Sequence, residues 1–380
     1  EESLGFFIDK NIDVLNFPEW ETLPYDRFSP HQDIVSERLK TLYRLPSVTQ
    51  GVLIVPVANM MQKVVPLDYI QQYSFVLNVG DTLEVEKFSQ QLEAGSYQRV
   101  GQVYEHGEFA VRGSIIDLFP MGSKTPFRID LFDDEVETIR NFDPETQRSI
   151  EQISSIELLP AKEYNFTQAG INLFRHNFKE FFGDESNQSQ VYKSVSSADN
   201  LGGLEYYLPL FHKELASLFD YLPENAVFFD YGKTETALDT HLADFKERYE
   251  IGRHNPDFPL LQPNELLIDP TLFLTLLKSY HRVSLEESIS KKNTVKFNPK
   301  PLPDLSVDNK SDYPLAKLNS FLDRYTEKVI FSAESTGRRE TLLTLLNKHQ
   351  QRPVIVENWQ EALAATANPC ILVSPLETSI

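Results

Sequence analysis

Two changes of pattern along the chain constrain its fold more than any single motif. Up to about residue 73 the sequence combines an amphipathic helical segment with continuous apolar runs, but residues 100–160 form short alternating segments separated by tight turns. Mixed helix and strand patterns return after residue 160. A run of strands between two α/β stretches indicates a separate antiparallel or α+β module in an otherwise α/β chain.

Apolar periodicity predicts the main elements of the α/β stretches. Residues 33–45 show helical spacing, and GVLIVPV (51–57) is the continuous apolar run expected of a parallel strand buried on both faces. Asn59 is positioned to cap a following helix, MMQKVV. Residues 224–232 predict another buried strand, and residues 236–250 predict the helix that follows it.

The last part of the chain predicts a small domain of its own. Residues 298–312 are polar and contain prolines, which is typical of a linker. Beyond them helical and strand patterns alternate, as in a small, parallel α/β domain. The single cysteine, Cys370, has apolar neighbours and is predicted to be a buried strand thiol.

Composition excludes several classes of function. The 380-residue chain has a formal net charge of −20, so we expect a protein partner rather than a chain-wide surface for nucleic acid. One cysteine and eight scattered histidines make a metal site improbable. No apolar run approaches the roughly 20 residues of a membrane helix. We expect a cytoplasmic protein with no metal, and the start without Met suggests a piece of a longer chain.

Three short motifs are better explained by structure than by chemistry. GKT at 232–234 follows a strand, but a phosphate-binding loop needs a Gly where this chain has Val227. We therefore predict a strand-to-helix turn with Thr234 as a helix cap. DDE at 133–135 predicts an acidic turn, and GRRE at 337–340 predicts a solvated first helical turn rather than an anion site. No catalytic residue is predicted.

One face of the strand-rich module carries residues that a solvated sheet does not need. In FRIDLF, a period of two places Arg128 and Phe132 on the outer face, and in the preceding strand it places Arg112 there. Arginines and aromatic residues are enriched at the energetic centres of interfaces. The alternative is a solvated face on which Arg128 is merely paired with Asp130 or Asp117.

Several long segments, in order, resemble one protein family. They are WETLPYDRFSPHQDIVSERLKTLYRLP, GVLIVPVANMMQ, EHGEFAVRGSIIDLFPMGS, FRIDLFDDEVETIRNFD and GLEYYLPLF. Together they resemble the amino-terminal part of the bacterial transcription-repair coupling factor, Mfd. This part of the family is similar to the excision-repair protein UvrB.

The resemblance implies an α/β fold in which a degenerate helicase (RecA-like) domain is split by an inserted α+β UvrA-binding domain and followed by a small α/β domain. The implied segments are the first part of the UvrB-like domain, the inserted domain, the second part of the UvrB-like domain, the linker and the small domain, at residues 1–73, 74–159, 160–297, 298–312 and 313–380.

The resemblance also implies a function. In the family, two arginines and an aromatic residue bind UvrA, and by motif they fall on Arg112, Arg128 and Phe132. The chain would then be a non-catalytic adaptor of nucleotide excision repair that recruits UvrA to stalled RNA polymerase. The family's own carboxy-terminal domain is expected to cover the same surface. RNA polymerase, DNA, ATP and magnesium would be bound by modules outside this chain, including an ATP-driven translocase.

Two alternatives stay open at this point. The chain could be an ATPase or DNA-binding helicase fragment resembling UvrB itself, which would require a nucleotide loop upstream of Glu1. It could also be an acidic module that packs only against its own chain, which predicts no affinity for UvrA.

Overall fold

The chain forms two compact units of mixed helix and strand, as the α/β class predicts. The computed structural model describes residues 2–9, 11–183, 187–199, 201–231, 234–285, 295, 303–308 and 311–376. The larger unit comprises residues 15–49 and 53–287, and the smaller comprises residues 1–14, 50–52 and 288–380. The five-segment division stays a prediction, and it did not anticipate that residues 1–14 would share a unit with the C-terminal residues.

The helices and strands are numbered in chain order. The helices are α1 (Glu2–Phe7), α2 (Gln32–Arg44), α3 (Val57–Met61), α4 (Leu67–Gln72), α5 (Val85–Ala94), α6 (Gln168–Phe182), α7 (Gln190–Ser196), α8 (Thr234–Gly252), α9 (Pro263–Leu266), α10 (Pro270–Lys278), α11 (Ala316–Leu322), α12 (Thr336–Lys348) and α13 (Trp359–Ala364). The strands are β1 (Asp13–Asn16), β2 (Gly51–Ile54), β3 (Lys63–Val64), β4 (Phe75–Asn78), β5 (Gln98–Arg99), β6 (Glu108–Arg112), β7 (Ile115–Leu118), β8 (Phe127–Phe132), β9 (Glu135–Phe142), β10 (Ser149–Ile153), β11 (Ser155–Leu158), β12 (Ala216–Ser217), β13 (Val227–Tyr231), β14 (His281–Leu285), β15 (Ile330–Ala333), β16 (Val354–Ile355) and β17 (Cys370–Val373).

The apolar run at 51–57 does not form one buried strand, so that prediction was wrong. Pro56 divides the run because proline cannot donate to a sheet, and α3 begins directly after it. The side chains of β2 are exposed or half-buried. The predicted helix MMQKVV is also corrected, since its second half is β3, which pairs antiparallel with β12. Asn59 lies inside α3 and donates from Nδ2 to the carbonyl of Phe17 at 2.9 Å.

The predicted strand at 224–232 is present as β13, but it is not buried. It pairs in parallel with β14, and alternate side chains such as Phe229 and Tyr231 are largely exposed. The other face packs through Phe228 against Tyr280, with ring centroids 5.1 Å apart. The apolar run of β13 therefore buries side chains on only one face of the β13–β14 pair. Of the GKT motif, Gly232 and Lys233 lie outside the described residues, and Thr234 begins α8 with its hydroxyl donating to Asp230.

The strand-rich module is a six-stranded sheet in the order β10-β9-β8-β7-β6-β5. Neighbouring strands are antiparallel except for the parallel pair of β5 and β6. One face packs on α5, which has Gly95 as its C-cap, and on apolar side chains of α2. The core residues on this face of the sheet include Phe109, Ile116, Ile129 and Ile139.

The chain enters and leaves this module side by side. β4, before the sheet, pairs antiparallel with β11, after it, in the register Phe75↔Leu158 to Asn78↔Ser155. Tyr97 connects the module to the segment that follows β11, because its hydroxyl donates to the carbonyl of Leu159 at 2.8 Å. The strand pairing and this hydrogen bond join the base of the module to the elements that precede and follow it.

The smaller unit contains the three-stranded sheet β15-β17-β16, in which both pairs are parallel, as the alternation of helix and strand predicted. Cys370 is buried in β17, which confirms the predicted strand thiol. α1 belongs to the same unit, where Phe7 packs edge-on against Trp359 with centroids 4.9 Å apart. Ser335 caps α12 by accepting from the backbone N–H of Arg338 at 3.3 Å.

A buried arginine ties α2 to the segment that leaves the sheet. The guanidinium of Arg38 is fully buried and lies over the ring of Phe17, 4.1 Å from its centroid. It donates to Glu163 at 3.5 Å, to the carbonyl of Pro18 at 2.9 Å and to Gln62 at 3.2 Å. Burial lowers the pKa of Arg38, and the nearby carboxylate of Glu163 opposes that effect.

Replacing Arg38 by Ala is expected to lower the free energy of unfolding of the larger unit by about 3 kcal/mol or more, because it leaves Glu163 buried without its counter-charge. Urea unfolding followed by Trp20 fluorescence, in a Trp359→Phe background, would report this unit. The double variant Arg38→Met, Glu163→Gln should recover part of the loss, since neither remaining group is charged. A loss below about 1 kcal/mol for Arg38→Ala would contradict the argument.

Glu205 is a second buried ionisable group in the same unit. Ser29 donates to its carboxylate at 3.0 Å, yet burial raises the pKa of Glu205 to about 6 from the ordinary 4.5. Because its pKa is raised, Glu205 binds a proton more tightly in the folded state than in the unfolded state. The stability that this proton contributes to the folded state is complete below pH 4.5 and is lost as the pH rises through 6.

The variant Glu205→Gln cannot ionise, so it should gain stability relative to the unmutated chain as the pH rises. Between pH 4 and pH 7 we expect a relative gain of about 2 kcal/mol in the free energy of unfolding, from a shift of about 1.5 units. The same urea titration at both pH values measures it. A stability difference that does not change with pH would show that the pKa of Glu205 is the same in the folded and unfolded states.

Candidate protein-binding face of the sheet

The face of the sheet that points away from its core carries a cluster of charged and aromatic side chains. We call this the arginine face, and it consists of Arg112, Ile115, Asp117, Arg128, Asp130, Phe132, Thr138 and Arg140. These residues alternate along β6 to β9 with buried residues such as Ile116 and Ile129. The alternation that the sequence predicted in FRIDLF is therefore present in β8.

A single buried carboxylate joins the two predicted arginines. Asp117 is fully buried and lies opposite Arg128 in the pairing of β7 with β8. Arg128 donates to Asp117 from Nε at 2.7 Å and from Nη2 at 2.9 Å, and Arg112 donates to the same carboxylate from Nη2. One negative charge thus orients two guanidinium groups that start on strands β6 and β8.

Arg128 is held more firmly than Arg112. It also donates to the carbonyl of Gln147 at 3.4 Å and lies over the ring of Phe142, 5.0 Å from its centroid. The hydrogen bonds to Asp117 raise the pKa of Arg128, so it remains charged throughout the physiological range. Its side chain is 19% exposed, whereas that of Arg112 is 49% exposed and offers more surface to a partner.

Phe132 projects from the end of β8 with 69% of its surface exposed. The turn that follows it, Asp133 and Asp134, has its first residue at a φ of +54°, a conformation that Asp tolerates better than most residues. The backbone N–H of Leu83 donates to the carbonyl of Asp134 at 2.6 Å, which anchors the turn. The predicted acidic turn is confirmed, and Phe132 lies on a fixed backbone.

Two features of the face were not recognised from the sequence. The sequence predicts Asp117 only as one of two possible partners for Arg128, but in the structure it accepts from both Arg112 and Arg128. Arg140 has no role in the prediction from sequence. It lies opposite Arg128 in the pairing of β9 with β8, and its Nη2 donates to Asp130. The signal for Arg140 was available in the alternation of β9, but the bulge near Asp130 shifts the register of the two strands and hides the pairing.

Other candidate sites in the described part of the chain give a weaker indication of function than the arginine face. A cavity of about 490 Å³ is lined by Arg27 and Arg248, but Arg27 lies over the ring of Phe258 and Arg248 pairs with Asp26 at 3.7 Å. Among the residues with coordinates, there is no group of three or more His, Cys, Asp and Glu that could hold a metal. Over the same residues, no helix has both the length and the apolar character to cross a membrane.

Comparison with known proteins identifies families that match the segment carrying the arginine face. A model of the UvrB interaction domain matches residues 75–164, which include Arg112, Arg128 and Phe132, and a model of the MFD D3 domain matches residues 321–380. The resemblance to the transcription-repair coupling factors is confirmed. The chain is 41% identical to the transcription-repair-coupling factor of Haemophilus influenzae over 96% of its own length, and 41% identical to that of Escherichia coli over 92%.

More distant transcription-repair-coupling factors match the whole chain as well. The protein of Rickettsia prowazekii is 27% identical over 99% of this chain. In each case the match covers only part of the relative, 32% of the Haemophilus influenzae protein and 34% of the Rickettsia prowazekii protein. The chain therefore spans about a third of the length of the transcription-repair-coupling factors it matches.

The central role of Asp117 is testable by itself. In Asp117→Asn the two guanidinium groups lose their shared counter-charge, so the free energy of opening β7 and β8 should fall by about 3 kcal/mol. Amide hydrogen exchange of residues 115–118 and 127–132 measures this opening. Asp130→Asn is the matched control on the same face. Its side chain is less buried, so the loss should stay below about 1 kcal/mol. Equal losses in both variants would contradict the special position of Asp117.

Proposed function

We propose that the chain is a non-catalytic adaptor region that binds UvrA through Arg112, Arg128 and Phe132. The observation that carries this proposal is the arginine face, which presents two oriented guanidinium groups and an exposed aromatic ring on a rigid sheet. The chain as a whole carries a formal net charge of −20. A cationic, partly apolar face on an acidic protein favours a partner with an acidic surface and an apolar pocket.

The physical properties of the face suit protein recognition. Guanidinium groups bind carboxylates in a two-pronged geometry, and the bonds to Asp117 fix their direction before a partner arrives. Because β6 to β8 are already ordered, docking costs less conformational entropy than it would on a mobile loop. The match of residues 75–164 to the UvrB interaction domain supports UvrA as the partner.

The wider role extends beyond this chain. We propose that segments of the parent protein outside these residues bind stalled RNA polymerase, and that an ATP- and magnesium-dependent motor there moves on DNA. The chain would then bring UvrA, and with it nucleotide excision repair, to the stalled polymerase. We also propose that the carboxy-terminal domain of the parent protein covers the arginine face until UvrA displaces it. ATP hydrolysis by this chain above the buffer background would contradict the adaptor proposal.

Titration calorimetry of the chain with UvrA tests the interface. Each of Arg112→Ala, Arg128→Ala and Phe132→Ala should weaken binding by about tenfold or more, because truncating a central arginine or aromatic residue costs about 2 kcal/mol. Hydrogen exchange of the sheet would show that each variant is folded.

Two variants serve as matched controls. Arg99 lies on β5 opposite Phe109, whose side chain points into the core, so Arg99→Ala removes an exposed arginine from the other side of the sheet. Phe28→Ala removes an equally exposed phenylalanine from outside the sheet. Both should leave the affinity within about twofold, the size expected of contacts outside an interface. Binding that survives all three substitutions on the arginine face would move the interface elsewhere.

A further inference from the structure

Arg140 stands beside the three proposed contact residues on the arginine face. It lies on β9, directly opposite Arg128 on β8, so the two Cβ atoms are expected about 5 Å apart. Like charges at such a position destabilise a sheet unless something separates them. Here Arg128 turns towards Asp117, while Arg140 donates to Asp130 from Nη2.

The pairing with Asp130 does not satisfy Arg140. Its Nε is buried and has no hydrogen-bond partner, and Asp130 also accepts from the hydroxyl of Thr138 at 2.9 Å. The Arg140 side chain is nevertheless 41% exposed, about twice the fraction of Arg128. Of the two opposed arginines, Arg140 therefore offers the larger accessible surface to a partner.

The charges of the face favour an acidic partner. Three arginines, Arg112, Arg128 and Arg140, share two aspartates, Asp117 and Asp130, so cations outnumber the carboxylates that orient them. A guanidinium already held by a carboxylate on one side can still bind a second carboxylate through its remaining donors. The chemistry of such a face is complementary to carboxylate groups on the surface of another protein.

We propose that Arg140 is a third guanidinium contact of the UvrA interface and that the interface extends from β8 onto β9. The inference rests on the proposed function, since it uses the same partner. The proposal adds one residue to the interface, and the register of β8 with β9 gives its position in the arginine face. The group that Arg140 would bind is a carboxylate-bearing patch of UvrA.

Calorimetry with UvrA at low and high salt tests the proposal. Arg140→Ala should weaken binding by about tenfold at low salt, comparable to Arg112→Ala, and the loss should shrink at high salt because screening weakens contacts between charged groups. Arg140→Lys keeps the charge but not the two-pronged geometry, so it should restore part of the affinity. The fold is expected to persist, since Thr138 still donates to Asp130 in each variant.

The outcomes separate the inference from the proposed function. If Arg112→Ala weakens binding and Arg140→Ala does not, the interface stands and the role of Arg140 is refuted. If none of Arg112→Ala, Arg128→Ala, Phe132→Ala and Arg140→Ala weakens binding, or the unmutated chain does not bind, both proposals fall. If Arg140→Ala and the control Arg99→Ala weaken binding equally, the effect is general charge attraction and Arg140 is not a contact. A loss that Lys does not restore and salt does not change would indicate a purely structural role.

Discussion

The buried carboxylate of Asp117 is the interaction on which the arginine face depends. Arg112 and Arg128 begin on strands β6 and β8, and only the carboxylate on β7 between them brings both guanidinium groups together. An unpaired aspartate at that depth would be costly, and two adjacent arginines without it would repel each other. Each group is therefore tolerated because the others are present, and the face exists as a unit rather than as separate side chains.

This arrangement would allow one face both to stabilise the sheet and to bind a partner as proposed. Asp117 fixes the guanidinium groups in direction, but it cannot use all ten of their N–H donors. The apolar residues Ala110 and Phe142 form a small core with Phe119 at one end of the same face, and the ring of Phe142 lies against the guanidinium of Arg128. A solvated salt bridge, which the sequence left open as an alternative, and a binding site are thus compatible descriptions of the same residues.

The sequence predicted the parts that local patterns determine. The period of two in FRIDLF assigned the faces of β8, and helical spacing predicted α2 and α8 within two residues of their observed bounds. It failed at one proline and where tertiary contacts decide. The predicted strand at 51–57 was wrong for a local reason, since Pro56 interrupts it. The predicted helix at 60–65 ended because Lys63 pairs with Ser217, which is distant in sequence. The pairing of Arg140 with Arg128 was hidden for the same kind of reason, because a bulge changes the register between β8 and β9.

The contacts at the base of the sheet help to hold the orientation of the arginine face relative to the rest of its unit. β4 and β11 close the module where the chain enters and leaves it, and five residues after β11 the chain reaches Glu163, buried against Arg38 of α2. A charged pair in that position stabilises little when compared with apolar packing, but it tolerates few alternative arrangements, since each misplaced charge would be buried alone. The orientation of the arginine face relative to α2 is therefore set by direct packing of Val35 and Leu39 against the sheet, by the pairing of β4 with β11 and by one buried ion pair. The apolar packing holds α2 against the sheet, and the paired strands and the ion pair fix the path of the chain between them.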